Sequence, residues 1–177
     1  MTTTLGAIFM STNNEHRTPA EYVDAVRAAL GGIELDPASS AAANVLVQAE
    51  RFFTVADDAL ARPWHAATCF LNPPYGKARG KSNQQIWSQK LIAEYSAGHV
   101  GSAILLVNAA VSDGWFQPLH AYPMAFSKER IPFLNAAGVP QNSPTHGNAF
   151  VYFGDDLPRF ARAFHAIATV VRQVCME

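Results

Sequence analysis

The chain has 177 residues, of which 49% are hydrophobic and 15% charged, and its 13 Lys and Arg against 14 Asp and Glu leave a net charge of -1. This size and balance suit one globular domain with a sizeable core and exclude a low-complexity or disordered chain. A near-neutral chain has no global attraction for nucleic acid, so any such binding must come from local clusters of charge.

In chain order, residues 1–13 read as a flexible N-terminus and 14–177 as one domain. Thr18 predicts a helix N-cap, with Pro19 at the first helical position and Glu21 three residues on; Tyr22, Val23, Val26 and Leu30 follow at helical spacing. Gly31-Gly32 ends that helix. Ile33 to Leu35 predicts a short strand ending at Asp36, and Ala41 to Glu50 a helix. Thr68 to Leu71 predicts the next strand and Gln84 to Ser96 a helix, with Ile86, Trp87, Lys90, Leu91 and Tyr95 on one side. Ser102 to Val107 is a continuous apolar strand suited to a sheet centre. Gly114 to Leu119 reads as helical, with strands near Met124 to Phe126, Ile131 to Leu134 and Ala149 to Phe153, and a last helix from Leu157 to Val174. The alternation predicts an α/β, doubly wound fold. The segments 77–83 and 135–147, rich in turn formers, read as mobile loops, and Trp64, Trp87 and Trp115 as core anchors.

The third strand runs into Asn72-Pro73-Pro74-Tyr75. Two prolines fix φ and remove two donors, so the chain leaves the strand in a rigid extended form. The Asn72 amide oxygen and the Pro73 carbonyl are both acceptors, able together to receive the two hydrogens of an aromatic NH2 group and pull its nitrogen toward a tetrahedral form. That favours the transition state of attack by an amine whose lone pair is otherwise spread into its ring. Tyr75 would stack on the ring. The competing reading is a plain turn after a strand.

Between Ala59 and Ala93 there is no acid, while Arg62, Lys77, Arg79, Lys81 and Lys90 all fall there. Lys77, Arg79 and Lys81 directly follow Tyr75, a basic loop beside the motif that would suit the phosphates of DNA, the alternative being a solvated charged face. The same stretch, Gly76 to Ser82, resembles a phosphate-binding loop with one residue too few between its glycines. Cys69 and Cys175 lack a C-x-x-C partner and the six histidines show no ligand spacing, so no disulfide and no metal is expected. No apolar run is long enough to span a membrane, and the first residues are too short for an export signal; a cytoplasmic protein is expected.

Three segments, R-T-P-A-E-Y-V (17–23), E-L-D-P-A-S-S (34–40) and R-F-F-T-V-A-D-D-A-L-A-R-P-W (51–64), lead into F-L-N-P-P-Y-G. With these the chain resembles, over residues 14–155, the S-adenosylmethionine-dependent DNA adenine-N6 methyltransferases, most closely the small Dam-like enzymes of phages and prophages. The resemblance implies a single-domain Rossmann-like methyltransferase fold, a mixed and mostly parallel sheet flanked by helices. It also implies S-adenosylmethionine as methyl donor and a flipped adenine in DNA as acceptor, with restriction-modification among the roles. By the same likeness Thr18 and Pro19 cap the donor's methionine carboxylate, Asp36 and Pro37 face its methionine part, and Asp58 faces its adenine amine. Thr18 as a simple helix cap, Asp36 as a strand-end turn residue and Asp58 as a surface carboxylate are the alternatives. The family's G-x-G after the first strand is replaced by Ala38-Ser39-Ser40-Ala41, and no separate target-recognition domain is visible. Other readings of the motif are a methyltransferase acting on a protein glutamine or an RNA amine, and a catalytically inactive DNA-binding relative.

Overall fold

The computed structural model describes residues 16–78, 80–141 and 145–174. The N-terminal segment 1–13, Arg79 and Cys175 lie outside them. In chain order the elements are α1 (Ala20–Leu30), β1 (Leu35–Asp36), α2 (Ala41–Val47), β2 (Arg51–Phe52), β3 (Ala66–Leu71), β4 (Lys77–Ala78), β5 (Lys81–Ser82), α3 (Asn83–Ser96), β6 (Val100–Asn108), β7 (Met124–Ser127), β8 (Asn148–Phe153), α4 (Leu157–Phe164) and β9 (Ala168–Val171).

The period of two along β3, β6 and β8 sends apolar side chains to both faces of the sheet, which makes these strands the buried centre. Phe70, Ile104, Leu106, Phe150 and Tyr152 fill one layer, with Tyr22, Val23 and Val26 of α1 and Phe160 and Phe164 of α4. Phe150 is wedged between the helices, its ring centroid 5.8 Å from Tyr22 and 4.8 Å from Phe164. Cys69, Leu71, Leu105, Val107, Val151 and Phe153 fill the other layer against Trp87 and Leu91 of α3. Trp64 and Trp87 are both fully buried there, as core anchors, while Trp115 is half-buried at the margin.

The main sheet has the order β2-β1-β3-β6-β8-β7-β9. β2, β1, β3 and β6 are parallel, and β8 runs against both β6 and β7, so β7 shares the parallel direction. β9 runs against β7. The result is the expected mixed, mostly parallel sheet with helices on both faces, a Rossmann-like α/β fold. Among the described residues no helix is long and apolar enough to cross a membrane.

Several expected elements differ. The N-cap of α1 is Pro19 and no side chain caps it, so Thr18 lies one position outside the helix with its hydroxyl used elsewhere. α2 stops at Val47 rather than Glu50, because Gln48 turns to φ 54° and the Asn44 side chain closes the end through Ala49. Gly114 to Leu119 holds no α-helix; Pro118 confines it to a 3-10 turn over Gln117–Ala121. Ile131 to Leu134 is not a strand, since Pro132 has no donor; Leu134 alone bridges to Arg17 and Pro140. The last helix ends at Phe164, and β-branched Thr169, Val170 and Val171 go instead into β9. Lys77 to Asn83, expected as a mobile loop, holds a small antiparallel pairing in which Lys77 faces Ser82 and Ala78 faces Lys81, and Asn83 already opens α3.

Candidate active site

The carboxyl ends of the parallel strands lie along one edge of the sheet, and β8, running the other way, begins there. Asp36 of β1, Asn72 after β3, Asn108 of β6 and Asn148 of β8 therefore come side by side, with Asn108 and Asn148 in register. In open α/β sheets this edge is where ligands bind.

Asn72 is anchored on one side only. Its amide nitrogen donates to the His16 carbonyl at 2.9 Å and to the Thr18 hydroxyl at 3.2 Å. The His16 carbonyl can only accept, which fixes which way the amide faces. Asn72 Oδ1 is left buried with no hydrogen-bond partner. An orphaned buried acceptor costs roughly 1–3 kcal/mol, so a donor that arrives there recovers a stored penalty. The Pro73 carbonyl also accepts no hydrogen bond from the described residues. Two acceptors spaced along a rigid Pro-Pro segment are thus open, the pattern that an NH2 group satisfies.

Tyr75 is the member of the tetrapeptide that lines a pocket of about 410 Å³, with Phe133, His16, Asn108, Gln141 and Asn148 among the other walls. Its ring meets His16 edge-on at 4.7 Å and Phe133 at 5.8 Å. Burial pushes its hydroxyl well above the usual range, and the nearby Asn148 side chain partly offsets that effect. At the backbone, Asn83 Nδ2 donates to the Tyr75 carbonyl at 3.1 Å, and the Asn83 amide to the Gly76 carbonyl at 2.9 Å. Gly76 itself turns at φ 96°, a conformation that costs glycine little. The same burial that lines the pocket holds His16 below its ordinary pKa and so favours the neutral imidazole.

On the other flank of Asn72, Asp36 is 3% exposed. Burial lifts its carboxyl to a pKa of about 6, although the Ala38 amide and the Ser39 side chain hold it partly down. None of the salt bridges among the described residues involves it. Cys69, on the neighbouring strand, is pushed up by burial and then by the Asp36 charge. Pro37 is buried beside Asp36. The chain after β2 is tied to this loop where the Ser39 amide donates to the Phe53 carbonyl at 2.9 Å. It then turns at Asp57, whose carboxylate takes the Thr54 amide and hydroxyl. Asp58 follows at φ 45°, and its carboxylate has no partner among the described residues.

The structure thus joins Thr18 and Asn72 directly and sets Tyr75 against His16 of the same segment, with Asp36 and Pro37 at the end of the neighbouring β1 and Asp58 farther along, just after the 3-10 turn that follows β2. Pro74 is half-buried between Pro73 and Tyr75, and Pro19 opens α1 next to Thr18. Lys77 and Lys81 are exposed and make no salt bridge or side-chain hydrogen bond to the described residues. Gly80-Lys81-Ser82 does lead into α3, with Ser82 as its N-cap, but Lys81 and Ser82 pair as a strand with Ala78 and Lys77 and do not form a loop wrapped round an anion. The sequence reading missed His16, Asn83, Asn108, Phe133 and Asn148. Only Asn83 carried a local signal, as the residue that opens a helix after the basic loop; the others arrive by long-range packing. No cluster of His, Cys, Asp or Glu among the described residues could hold a metal ion.

No curated protein and no solved structure matched the chain. One family did: the model of the DNA N-6-adenine-methyltransferases (Dam) matches residues 8–172. It spans every strand of the main sheet, the Asn-Pro-Pro-Tyr turn and the pocket, and the chain belongs to this family.

Proposed function

We propose that this chain transfers the methyl group of S-adenosylmethionine to the N6 amine of an adenine swung out of DNA. The observation that carries the reading is the Asn72 amide, whose hydrogens are both occupied while its buried oxygen has no partner. In this reading Asn72 Oδ1 and the Pro73 carbonyl receive the two N6 hydrogens and draw that nitrogen toward a tetrahedral form, while Pro74 keeps the loop stiff. Because these acceptors fit the pyramidal amine better than the planar one, they lower the barrier more than they tighten ground-state binding. Tyr75 stacks on the base, with Phe133 as a second apolar wall.

The residues on the other flank suit the donor. A buried carboxylate with no cation among the described residues, Asp36, would face a positively charged group, with Pro37 shaping the turn beside it. The amide hydrogens at the start of α1, with Thr18 and Pro19, would face a carboxylate, and Asp58 would face an adenine amine. Bound there, S-adenosylmethionine supplies an electrophilic methyl group for direct transfer, with no covalent enzyme intermediate. Lys77 and Lys81, with Arg79 between them in sequence, would take phosphates beside the extruded base. The likeness of segments 17–23, 34–40 and 51–64 supports a phage or prophage setting.

The test is methyl transfer from labelled S-adenosylmethionine to unmethylated DNA, followed by nucleoside mass analysis, with Asn72→Ala as control. N6-methyladenine that disappears in the control is expected. Labelled RNA or protein with unlabelled DNA would replace the acceptor, and DNA binding without any transfer would mark an inactive relative.

A further inference from the structure

Thr18 stands just outside α1, 4% exposed, and caps nothing in that helix. Its hydroxyl oxygen instead accepts from Asn72 Nδ2 at 3.2 Å. The second amide hydrogen goes to the His16 carbonyl at 2.9 Å, two residues earlier in the same segment. That segment is itself held in place, because Arg17 and Leu134 exchange two backbone hydrogen bonds of 2.9 Å. An amide on a single hydrogen bond can still swing about its last torsion; with both hydrogens engaged it cannot, and its oxygen has one direction left. We propose that Thr18 is a positioning residue for the methyl-transfer step, setting the direction in which Asn72 Oδ1 meets the acceptor amine.

The inference rests on the functional reading above and extends it, since there Thr18 had only the donor's carboxylate to serve. The two roles use different parts of one hydroxyl. The oxygen accepts from Asn72, and the hydroxyl proton, which has no partner among the described residues, remains to be donated. A hydroxyl that donates to an anion is a better acceptor on its other side. Donor binding at Thr18 would therefore strengthen the grip on Asn72, and the acceptor oxygen would be most firmly aimed when a methyl group is at hand.

The experiment compares the full-length wild type with Thr18→Val, which keeps the shape and loses the oxygen, and Thr18→Ser, which keeps the oxygen. The side-chain amide signals of Asn72 are read by NMR without DNA, S-adenosylmethionine affinity by calorimetry, and the single-turnover rate at saturating S-adenosylmethionine. T18V is expected to speed exchange of one Asn72 amide hydrogen about tenfold or more and to slow the single-turnover rate by a similar factor, with T18S recovering most of both. A T18V protein that only binds S-adenosylmethionine more weakly, with the saturated rate and the Asn72 signals unmoved, would overturn the proposal. So would wild-type Asn72 hydrogens that exchange as fast as those of an exposed asparagine, a result that needs no variant to fold. A wild type that methylates nothing would instead sink the functional reading, and the amide signals would still decide the Thr18 contact by themselves.

Discussion

At the scale of single residues, the candidate site is held together by the side-chain amides of Asn72 and Asn83. Asn72 is fixed through His16 and Thr18, and Tyr75 through Asn83 at its carbonyl, with the Asn148 side chain near its hydroxyl. On the proposed reading, Asn72 Oδ1 makes a contact that is best in the transition state. Asn72→Ala should therefore lower turnover by about a hundredfold or more while leaving S-adenosylmethionine affinity nearly intact, which single-turnover kinetics and calorimetry can separate. The Asn148 link acts at one remove. Tyr75→Phe and Asn148→Ala each remove one side of the polar approach between these two side chains, so each alone should weaken base capture by up to about tenfold, and the pair together hardly more than either. The readout is fluorescence of a 2-aminopurine placed at the target position, and additive losses in the double variant would show that the two side chains work separately.

At the scale of elements, the sequence was most readable where local chemistry dominates. The apolar run of β6, the spacing of α1 and the Pro-Pro exit from β3 each carry their own signal, and each formed within a few residues of expectation. It was least readable where packing decides. Val170 and Val171 continue a helical pattern after Phe164, yet their β-branched side chains serve better as an edge strand against β7. Thr18 makes a good helix cap on paper, and only the arrival of β3 beneath it reveals that Asn72 takes the hydroxyl. The same limit applies to the candidate site: Asn72 and Tyr75 stand out in four letters of sequence, whereas Asn148, some 70 positions on, joins Tyr75 in lining the pocket only through the β6-β8 pairing. The β4-β5 pairing carries its own prediction. Lys77 and Lys81 project from a short hairpin that Asn83 ties to the Tyr75 loop, so the cations are held near the pocket at fixed spacing. If each contacts one phosphate, Lys77→Ala with Lys81→Ala should weaken DNA binding on every sequence alike. The slope of log affinity against log salt should fall by about 2 in a titration by anisotropy. An unchanged slope would remove the hairpin from the DNA interface.

At the scale of the whole molecule, the two ends of the sheet pull stability in opposite directions with pH. At the amino end of β3 and β6, Glu94 is 5% exposed and collects the Trp64 amide at 2.9 Å, His99 at 2.8 Å and Lys90 at 2.5 Å. Burial works against its carboxylate, but hydrogen bonds from Lys90, the Trp64 amide and His99 outweigh it and hold the group below its ordinary pKa of 4.5. A depressed folded-state pKa means stability that is present above pH 4.5 and lost as pH falls through the folded value. Asp36 at the carboxyl end behaves in reverse. Its folded-state pKa of about 6 lies above the ordinary 3.8, so the folded state holds the proton more tightly and stability declines as pH rises across that interval, then levels off. Asp36→Asn should consequently melt higher than wild type at pH 7 and lose most of the decline between pH 4 and 6, leaving the acid-side loss from Glu94 exposed. Glu94→Ala should do the opposite, lowering stability at pH 7 by about 1–3 kcal/mol and flattening the acid limb. The extra stability of Asp36→Asn should come with weaker S-adenosylmethionine binding. In the wild type that affinity should strengthen as pH rises through about 6, because a cation at Asp36 favours the ionised carboxylate, and binding there should release protons to the buffer. Calorimetry in buffers of different ionisation enthalpy measures that release. A stabilised Asp36→Asn that bound S-adenosylmethionine as tightly as wild type, with no proton released by either, would mean that Asp36 is buried for some purpose other than the methyl donor.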